Sequence, residues 1–341
     1  MAKVTSNTLN SAAYQGLVNE DVIQKIWDIS NIPLPFTDMI GTDTSSNSYK
    51  EWTVDALQAV DISNAVVDGA DITSNNENLG SREGNHHQIS AKRVQVSHRA
   101  RDVDTIGRTD ELSYQIIMRQ RELRRDVEAI MLTYQASRAD NGTLAGLSAG
   151  LNSWIITNDD RGATATATGF SSGVVAAATQ GTTRTLTETL IRQAIENVYI
   201  QGGDSAVLMG IPELIRRISQ YMFTSSARIA TLTSDQGTSG EKATALGSVN
   251  VFVSDFGTVE LIPNRLMPIT NSTGGSENTE LFVLDPMYLS ISFLQGYMTE
   301  PLAKTGTADN RMMTVDWTLC VKNEKAQAII ADIDYKNAVT A

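Results

Sequence analysis

The amino-acid sequence predicts an α+β fold, in which helices and antiparallel strands occupy separate stretches and a two-stranded arm projects from the body. Three observations support this fold class. The C-terminal part shows clean apolar–polar alternation, one charged helical stretch is unusually long, and a polar, Gly- and Asn-rich segment of about 30 residues separates two strand patterns. No internal repeat is visible, which argues against a solenoid or a propeller.

The composition argues against several functional classes. The 341 residues include 39 acidic and 27 basic side chains, and the net charge of −12 argues against a surface that binds nucleic acid throughout. No apolar run approaches the roughly 18 residues that a membrane span needs, and the N-terminus lacks a signal-peptide core, so no membrane partner is expected. Cys320 is the single cysteine, which makes cytoplasmic synthesis without disulfides the simplest expectation.

The first 40 residues predict a loose arm and a short helix. The stretch NEDVIQKIWDIS spaces Val22, Ile26 and Ile29 at helical intervals. Pro33 and Pro35 are expected to end this helix, because proline and its neighbour favour extended backbone.

Two strand patterns and a long tip predict the projecting arm. YKEWTVDAL alternates apolar and polar residues, and QISAKRVQVSHR does so again. In the second stretch the alternation slips between Ala91 and Val94, which predicts a β-bulge. Long irregular loops in compact domains are usually functional or disordered, so the tip between the strands is expected to reach away from the body.

A long helix is predicted from Asp110 to Ala139, capped by Thr109 and ended near Gly142. At 1.5 Å per residue it would measure roughly 45 Å. Its apolar stripe, which is expected to face the core, consists of Leu112, Ile116, Leu123, Val127, Ile130 and Tyr134.

The opposite face of this helix is rich in arginine. Arg121, Arg124 and Arg125 lie there, Arg119 lies at the edge of the stripe, and Glu128 is expected to offset part of the positive charge. Three interpretations are open: a nucleic-acid contact, a solvated face, and a salt-bridged face between subunits. The last is favoured because arginine forms planar, bidentate ion pairs and lysine is absent from the helix. The candidate intersubunit contacts are Trp52, Arg82, Arg119, Arg121, Arg124, Arg125 and Glu128.

The remaining elements complete the α+β pattern. A second helix is predicted after Thr185, which forms a capping box with Glu188, and it ends at Gly202. Pro212 predicts the start of a third helix. A hairpin turns at 255–257, and the cleanest strand of the chain runs from Met313 to Val321 with one face buried.

The sequence contains short matches to catalytic and metal-binding motifs, but each lacks the surrounding structure that its chemistry requires. GLSAG at 146–150 matches a nucleophile elbow, but a helix precedes it and no histidine follows His98. The DFG at 255–257 lacks a nucleotide loop and fits a hairpin turn. The adjacent His86 and His87 point to opposite faces of a strand, so one ion cannot easily bind both. We expect no catalytic site, no cofactor and no metal.

The order of the elements resembles a known family. An N-terminal arm, a two-stranded arm with a long tip, a very long helix, an α/β lobe and a final β lobe resemble the major capsid proteins of tailed double-stranded DNA phages, with the Hong Kong 97-type fold. RELRRDVEAIMLTYQA, NGTLAGLSAGLNSWI, LTETLIRQAIENVYIQGGDSAVLMGIPELIRRIS, VFVSDFGTVELIPNRLMP and LCVKNEKAQAIIADI resemble a podovirus-like branch in particular. Most of the chain is covered.

The resemblance implies a role for each segment. It implies an N-terminal arm at 1–40, an extended loop at 41–100 that lies over a neighbour, a peripheral domain at 101–184 with its spine helix at 110–139, an axial domain at 185–284, and the rest of the peripheral domain at 285–341. Some relatives crosslink a lysine of the extended loop, but Lys50 lies at the base of the arm, which makes that chemistry doubtful here.

The implied function is self-assembly into pentamers and hexamers of an icosahedral head that encloses packaged DNA without sequence-specific binding. The implied partners are other copies of the chain, with portal, scaffolding and possibly decoration proteins, and the implied location is the virion, after synthesis in the host cytoplasm. Two alternatives stay open: another virion component, such as a tail or decoration protein, and an enzyme with an unfamiliar site.

Overall fold

The computed structural model describes residues 33–70, 79–103, 110–221, 251–271, 277–304 and 306–336. The helix predicted around Val22 lies outside these residues. Pro35 was expected to help end that helix, but it begins a short helix of its own, since proline is tolerated in the first turn.

Helices and strands alternate in the middle of the chain, while its last part is almost entirely strand. Within the described residues the helices are α1 (Pro35–Met39), α2 (His98–Asp102), α3 (Glu111–Met131), α4 (Leu151–Trp154), α5 (Glu188–Ile200) and α6 (Pro212–Tyr221). The strands are β1 (Gly41–Thr44), β2 (Tyr49–Val54), β3 (Ser81–His86), β4 (Gln88–Ser97), β5 (Asp159–Asp160), β6 (Phe170–Ser171), β7 (Val174–Val175), β8 (Val207–Gly210), β9 (Val251–Ser254), β10 (Gly257–Pro263), β11 (Thr270–Asn271), β12 (Glu277–Leu284), β13 (Leu289–Pro301), β14 (Ala308–Val321) and β15 (Ala328–Asp334).

Two main sheets organise the body. The smaller has the strand order β1-β13-β14-β4, and the larger has the order β5-β15-β12-β8-β10-β9, with β11 beside β12. Buried side chains of both sheets and of α3, α5 and α6 pack in one continuous apolar cluster. The predicted α+β class is therefore confirmed, and the main apolar core joins the two sheets.

Strand β14 is the central element of the smaller sheet. Its alternating residues from Met313 to Val321 are buried, with Trp317 fully inaccessible, as the sequence predicted. Because β14 pairs with β13 on one side and β4 on the other, its main chain is hydrogen-bonded along both edges.

The predicted bulge in β4 is wrong. Strand β4 pairs with β14 one residue for one residue, from Gln88 opposite Trp317 to Ser97 opposite Ala308. Val94 points inward, whereas Ile89 points outward and is 65% exposed. The alternation appears to slip because Ile89 is an apolar residue on the solvent-exposed face of β4.

Strand β15 belongs to the larger sheet. It pairs with β12. The boundary predicted at residue 285, between the axial domain and the last part of the peripheral domain, therefore separates two strands that are hydrogen-bonded to each other. The predicted hairpin is confirmed, since β9 and β10 pair antiparallel around Asp255 and Phe256. Because β8 pairs parallel with β10 and antiparallel with β12, the larger sheet is mixed.

The spine helix α3 is shorter than predicted. It has 21 residues and ends at Met131, which makes it about 31 Å long rather than 45 Å. Its N-cap is Asp110, whose carboxylate accepts a hydrogen bond from the Leu112 amide, while Thr109 lies outside the described residues. After Met131 the backbone leaves the helix, and the Ser137 amide donates to the carbonyl oxygen of Val175 at 2.9 Å. After Met131 the chain therefore forms long-range hydrogen bonds and does not continue as a helix.

The N-cap of helix α5 lies two residues after the predicted one. Thr187, not Thr185, is the N-cap, and its hydroxyl accepts from the Leu190 amide. At the other end, the amides of Gly202 and Gly203 donate to the carbonyls of Tyr199 and Val198. Gly202 has a φ of 88°, which a residue without Cβ adopts at little cost, so the predicted glycine termination is confirmed.

Glu128 is a buried carboxylate that joins three parts of the chain. Its oxygens accept hydrogen bonds from the amides of Phe36 and Thr37 at 3.3 and 3.2 Å, from the Thr37 hydroxyl at 2.9 Å, and from the Asn264 side-chain amide at 2.8 Å. Burial raises the pKa of Glu128, while the hydrogen bonds from Thr37, Asn264 and Phe36 oppose that rise. The expectation that Glu128 offsets the outer arginines is wrong, because its side chain is fully buried and faces the body.

Replacing Glu128 with alanine should destabilise the fold by roughly 2–4 kcal/mol, because several buried donors would lose their acceptor. Urea unfolding of the purified chain measures this change. The matched control is Glu122→Ala on the same helix, where the side chain is partly exposed and a loss within about 1 kcal/mol is expected. Equal losses in the two variants would contradict a central role for Glu128.

Glu280 lies near Asp332 and Arg161 at a bulge between β12 and β15. The register shifts there between Thr279 and Leu281, and Asp332 adopts a positive φ of 59°. One carboxyl oxygen of Glu280 has no hydrogen-bond partner among the described residues. Burial raises the pKa of Glu280 to about 8; Arg161 opposes this rise and Asp332 adds to it. Glu280 is therefore mostly protonated at neutral pH.

Glu280→Gln should change how stability depends on pH. A raised folded-state pKa means that the wild type loses stability as pH rises from about 4.5 to about 8, because only the unfolded chain releases the proton in that range. Glutamine resembles the protonated acid and does not titrate, so the melting temperature of the variant should gain on that of the wild type as pH rises. Glu260→Gln, at an exposed position on β10, is the control. A difference between wild type and Glu280→Gln that stays constant from pH 5 to 9 would contradict this assignment.

Candidate intersubunit surface

The base of the arm, here called its root, consists of strands β2 and β3. Strands β2 and β3 pair antiparallel from Tyr49 opposite His86 to Val54 opposite Ser81. The sequence predicted β4 as the returning strand of the arm, but β3 occupies that place and β4 joins the smaller sheet. The polar sequence of β3, SREGNH, lacks apolar alternation, which is why the pattern did not indicate a strand.

Asn85 fixes the end of β3 to the body. Its side-chain amide donates to the carbonyl oxygen of Leu319 at 2.8 Å and to the Ser148 hydroxyl at 3.2 Å, and its oxygen accepts from the Ala149 amide at 3.0 Å. Asn85 is fully buried. Sequence reasoning missed this residue, because an asparagine in a polar segment gives no sign of its long-range partners.

Ser148, the central residue of the GLSAG motif, has a structural role. It is buried, and its hydroxyl accepts from the Leu319 amide at 3.1 Å. A Cβ on Gly150 would lie 2.0 Å from the carbonyl oxygen of Thr133, so only glycine fits there. The motif thus allows close backbone packing, as the interpretation of a small-residue turn predicted.

Trp52 packs the arm against the body. Its ring lies 5.5 Å from that of Trp154, which stacks in parallel on Phe170 at 5.8 Å. Trp52 is half-buried in this arrangement. Lys50, also near the root, donates to the carbonyl oxygen of Thr44 at 2.8 Å and lies 3.4 Å from the carboxylate of Asp43.

The segment 55–70, here called the arm tip, leaves large apolar side chains in solvent. It has no assigned helix or strand. Leu57, Val60 and Ile62 are 99%, 90% and 94% exposed, and Val66 and Val67 are exposed as well. Clustered apolar side chains on a surface usually mark a contact with another molecule, because burying each one contributes roughly 1.5–3 kcal/mol.

The predicted arginine positions lie in different surroundings. Arg121 and Arg124 are exposed on α3, Arg125 is half-buried, and the guanidinium of Arg119 lies 2.5 Å from the carboxylate of Glu122. On the arm, Arg82 is exposed and lies 3.8 Å from Glu51. The helix brings Arg121, Arg124 and Arg125 together, while Trp52 and Arg82 are on neighbouring strands of the arm.

Two acids of α3 pair with cations other than Arg124 and Arg125. Asp126 lies 2.6 Å from the ammonium group of Lys92 on β4, and Glu122 lies between Lys92 and Arg119. Arg124 lies over the ring of Tyr297 at 5.2 Å, which is a cation–π contact.

Two other kinds of site are absent from the described part of the chain. No group of three or more His, Cys, Asp or Glu side chains there could hold a metal ion. No helix among those residues is long and apolar enough to cross a membrane.

The chain is similar to known capsid proteins. Residues 3–334 match the family described as SU10 major capsid protein. The major capsid protein of Escherichia phage Phieco32 is 35% identical over 102 residues, which are 30% of this chain and only 29% of that protein. The matched segment thus spans less than a third of the relative's length.

Solved structures of shells have the same fold. The capsid of a native GTA particle is similar with a TM-score of 0.60 and 13% identity over 95% of this chain and 99% of that chain. The holo-SrpI encapsulin complex from Synechococcus elongatus PCC 7942 gives a TM-score of 0.57 and 12% identity over 98% and 99%. At these identities the likeness shows the fold alone.

The fold is that of shell proteins such as the GTA capsid and the encapsulin. The chain belongs to the SU10 major capsid protein family, whose match covers nearly its whole length. This confirms the resemblance to phage major capsid proteins that the sequence showed, and it indicates a structural role as a component of the phage head.

Trp52→Ala should loosen the root of the arm, because the ring loses its packing against Trp154. A loss of about 1–3 kcal/mol is expected for a half-buried tryptophan. Hydrogen exchange should show faster exchange of the β2 and β3 amides, while those of β14 stay protected. Trp52→Phe is the control and should retain most of the protection. Unchanged exchange in the alanine variant would contradict the anchoring role.

Proposed function

We propose that this chain assembles into the pentamers and hexamers of an icosahedral phage head that encloses packaged double-stranded DNA. The observation that carries the proposal is the arm: its root is fixed by Asn85 and Trp52, while its tip presents apolar side chains that no described part of the same chain covers. Membership of a major capsid protein family supports the same conclusion.

The arm acts by laying its tip on a neighbouring subunit. A rigid root keeps the direction of the arm constant, which lowers the entropy lost when the tip docks. Each contact is modest, but closed symmetry repeats it around the shell. Burial of Leu57, Val60 and Ile62 against a neighbour would supply the largest part of the gain in free energy.

The two sheets belong to different domains of the subunit. The smaller sheet with α3 serves as the peripheral domain, and the larger sheet with α5 and α6 serves as the axial domain. In this assignment β15, although it comes last along the chain, is part of the axial domain, since it pairs with β12. The remaining contacts between capsomers are made by the peripheral domain.

The net charge suits a container for DNA. A shell that bound DNA tightly along its inner surface would hinder packaging, and a chain with a charge of −12 avoids this. Synthesis in the host cytoplasm, DNA enclosed without base-specific contacts, and separate portal, scaffolding and possibly decoration proteins complete the proposal.

Replacing residues 56–79 with a short Asn-Gly turn should leave a folded chain that does not form closed shells. The replacement joins the arm near Val54 and Ser81, which are already paired, so the root is kept. Electron microscopy and size exclusion measure assembly, and circular dichroism measures folding. Trp52→Phe is the control that should assemble normally. Normal shells from the shortened chain would contradict the role of the arm, and tubes or trimers from the wild type would indicate another virion component.

A further inference from the structure

The exposed turn at residues 140–144 contains the only Asn-Gly pair of the sequence, Asn141 and Gly142. In such a pair the backbone nitrogen of the glycine can attack the side-chain carbonyl carbon of the asparagine, because no Cβ on the glycine hinders the approach. Gly142 has a φ of 78°, and a Cβ built on it would meet no heavy atom within 4 Å. The reacting atoms of this pair are therefore open to water.

The side-chain oxygen of Asn141 lies beside two backbone donors. It accepts hydrogen bonds from the amides of Thr143 and Leu144, at 3.0 and 2.7 Å. Because both donors come later in the chain, the side chain folds forward over the Gly142 peptide and brings its carbonyl carbon towards the Gly142 nitrogen. Two amides at this distance would also stabilise the negative charge that develops on the oxygen during an attack on that carbon.

Asp140 provides a base for the other reacting group. The Gly142 amide donates to the carboxylate of Asp140 at 2.7 Å. A backbone amide becomes a nucleophile only when its proton is removed, and a carboxylate in hydrogen-bond contact can accept that proton in the transition state. The turn thus holds an electrophile, a nucleophile with an adjacent base, and two donors for the oxyanion.

The base of the turn holds these groups in position. The main chains of Arg138 and Leu147 exchange two hydrogen bonds, at 3.0 and 2.9 Å. The guanidinium group of Arg138 also donates to the carbonyl oxygen of Ala145, at 3.1 and 2.9 Å. A fixed geometry lowers the entropy lost on reaching the transition state, so the folded turn should react faster than the same residues in a flexible peptide.

We propose that this turn is an autocatalytic modification site that converts Asn141 to aspartate and isoaspartate. The Gly142 nitrogen loses its proton to Asp140 and bonds to the side-chain carbon of Asn141. The bond from that carbon to the side-chain nitrogen then breaks, and the nitrogen takes the proton and leaves as ammonia. Water opens the resulting succinimide ring at either carbonyl. The product carries a new negative charge, and the isoaspartate form has an extra methylene in its main chain.

Mass spectrometry of the digested chain, after incubation at neutral pH, measures the gain in mass at Asn141. The purified full chain is compared with a synthetic peptide of residues 136–147 under the same conditions. The folded chain should react about tenfold faster or more, because only the folded turn holds the base and the donors in place. A rate equal to or below that of the peptide would overturn the proposal and leave an ordinary hydrogen-bonded turn.

Asp140→Asn separates the base from the turn, since asparagine keeps an acceptor for the Gly142 amide but cannot take its proton. The rate in the folded variant should fall about tenfold or more, while the same substitution in the peptide should change the rate little. Asp61→Asn is the matched control, because the exposed carboxylate of Asp61 also accepts from an amide two residues later, that of Ser63, at 2.8 Å. The control should react like the wild type.

Circular dichroism of each variant checks that the fold is kept, and the comparison of wild type with peptide decides the matter even where a variant unfolds. A folded Asp140→Asn variant that reacts as fast as the wild type would overturn the role of the base. Breakage of the chain after Asn141 in place of the gain in mass would also overturn the proposal, since that reaction uses the side-chain nitrogen as the nucleophile. The reaction is intramolecular, so its failure leaves the shell function intact.

Discussion

The hydrogen bonds of Glu128 are the interaction on which the arrangement of the molecule most depends. One carboxylate in the middle of α3 fixes the chain at Phe36 and Thr37 and, through Asn264, the loop that follows β10 of the larger sheet. These three segments are far apart in sequence, and each would otherwise bury a polar group without a partner. Because α3 also packs on β4 of the smaller sheet, Glu128 couples both sheets to one helix.

This coupling explains how an exposed arm can be directed accurately. The smaller sheet holds β14 at its centre, Leu319 on β14 accepts from Asn85, and Asn85 ends the strand that leads to the tip. The arm therefore joins a rigid core through buried polar contacts, which impose direction more strictly than apolar packing alone. An exposed apolar tip on a rigid support is costly for an isolated chain and useful only when a neighbour covers it.

The structural roles of several sequence features became clear only from the residues that they contact in the fold. GLSAG is a close-packing element in which Gly150 lies against the carbonyl of Thr133 and Ser148 bonds to β14. The arginines of α3 seemed balanced by nearby acids along the sequence. In three dimensions Asp126 pairs with Lys92 on β4, and the buried Glu128 accepts hydrogen bonds from Phe36, Thr37 and Asn264.

The sequence by itself determined the fold class, the family, the buried face of β14, the glycine end of α5 and the presence of an exposed arm. These features depend on local periodicity, on capping chemistry and on composition, all of which are readable along one stretch of chain. Only the tertiary structure decided that α3 ends at Met131, that β3 rather than β4 returns from the arm, that β15 joins the larger sheet and that Glu128 is buried. Each of these depends on hydrogen bonds between residues far apart in the chain, and no local pattern encodes such a partner.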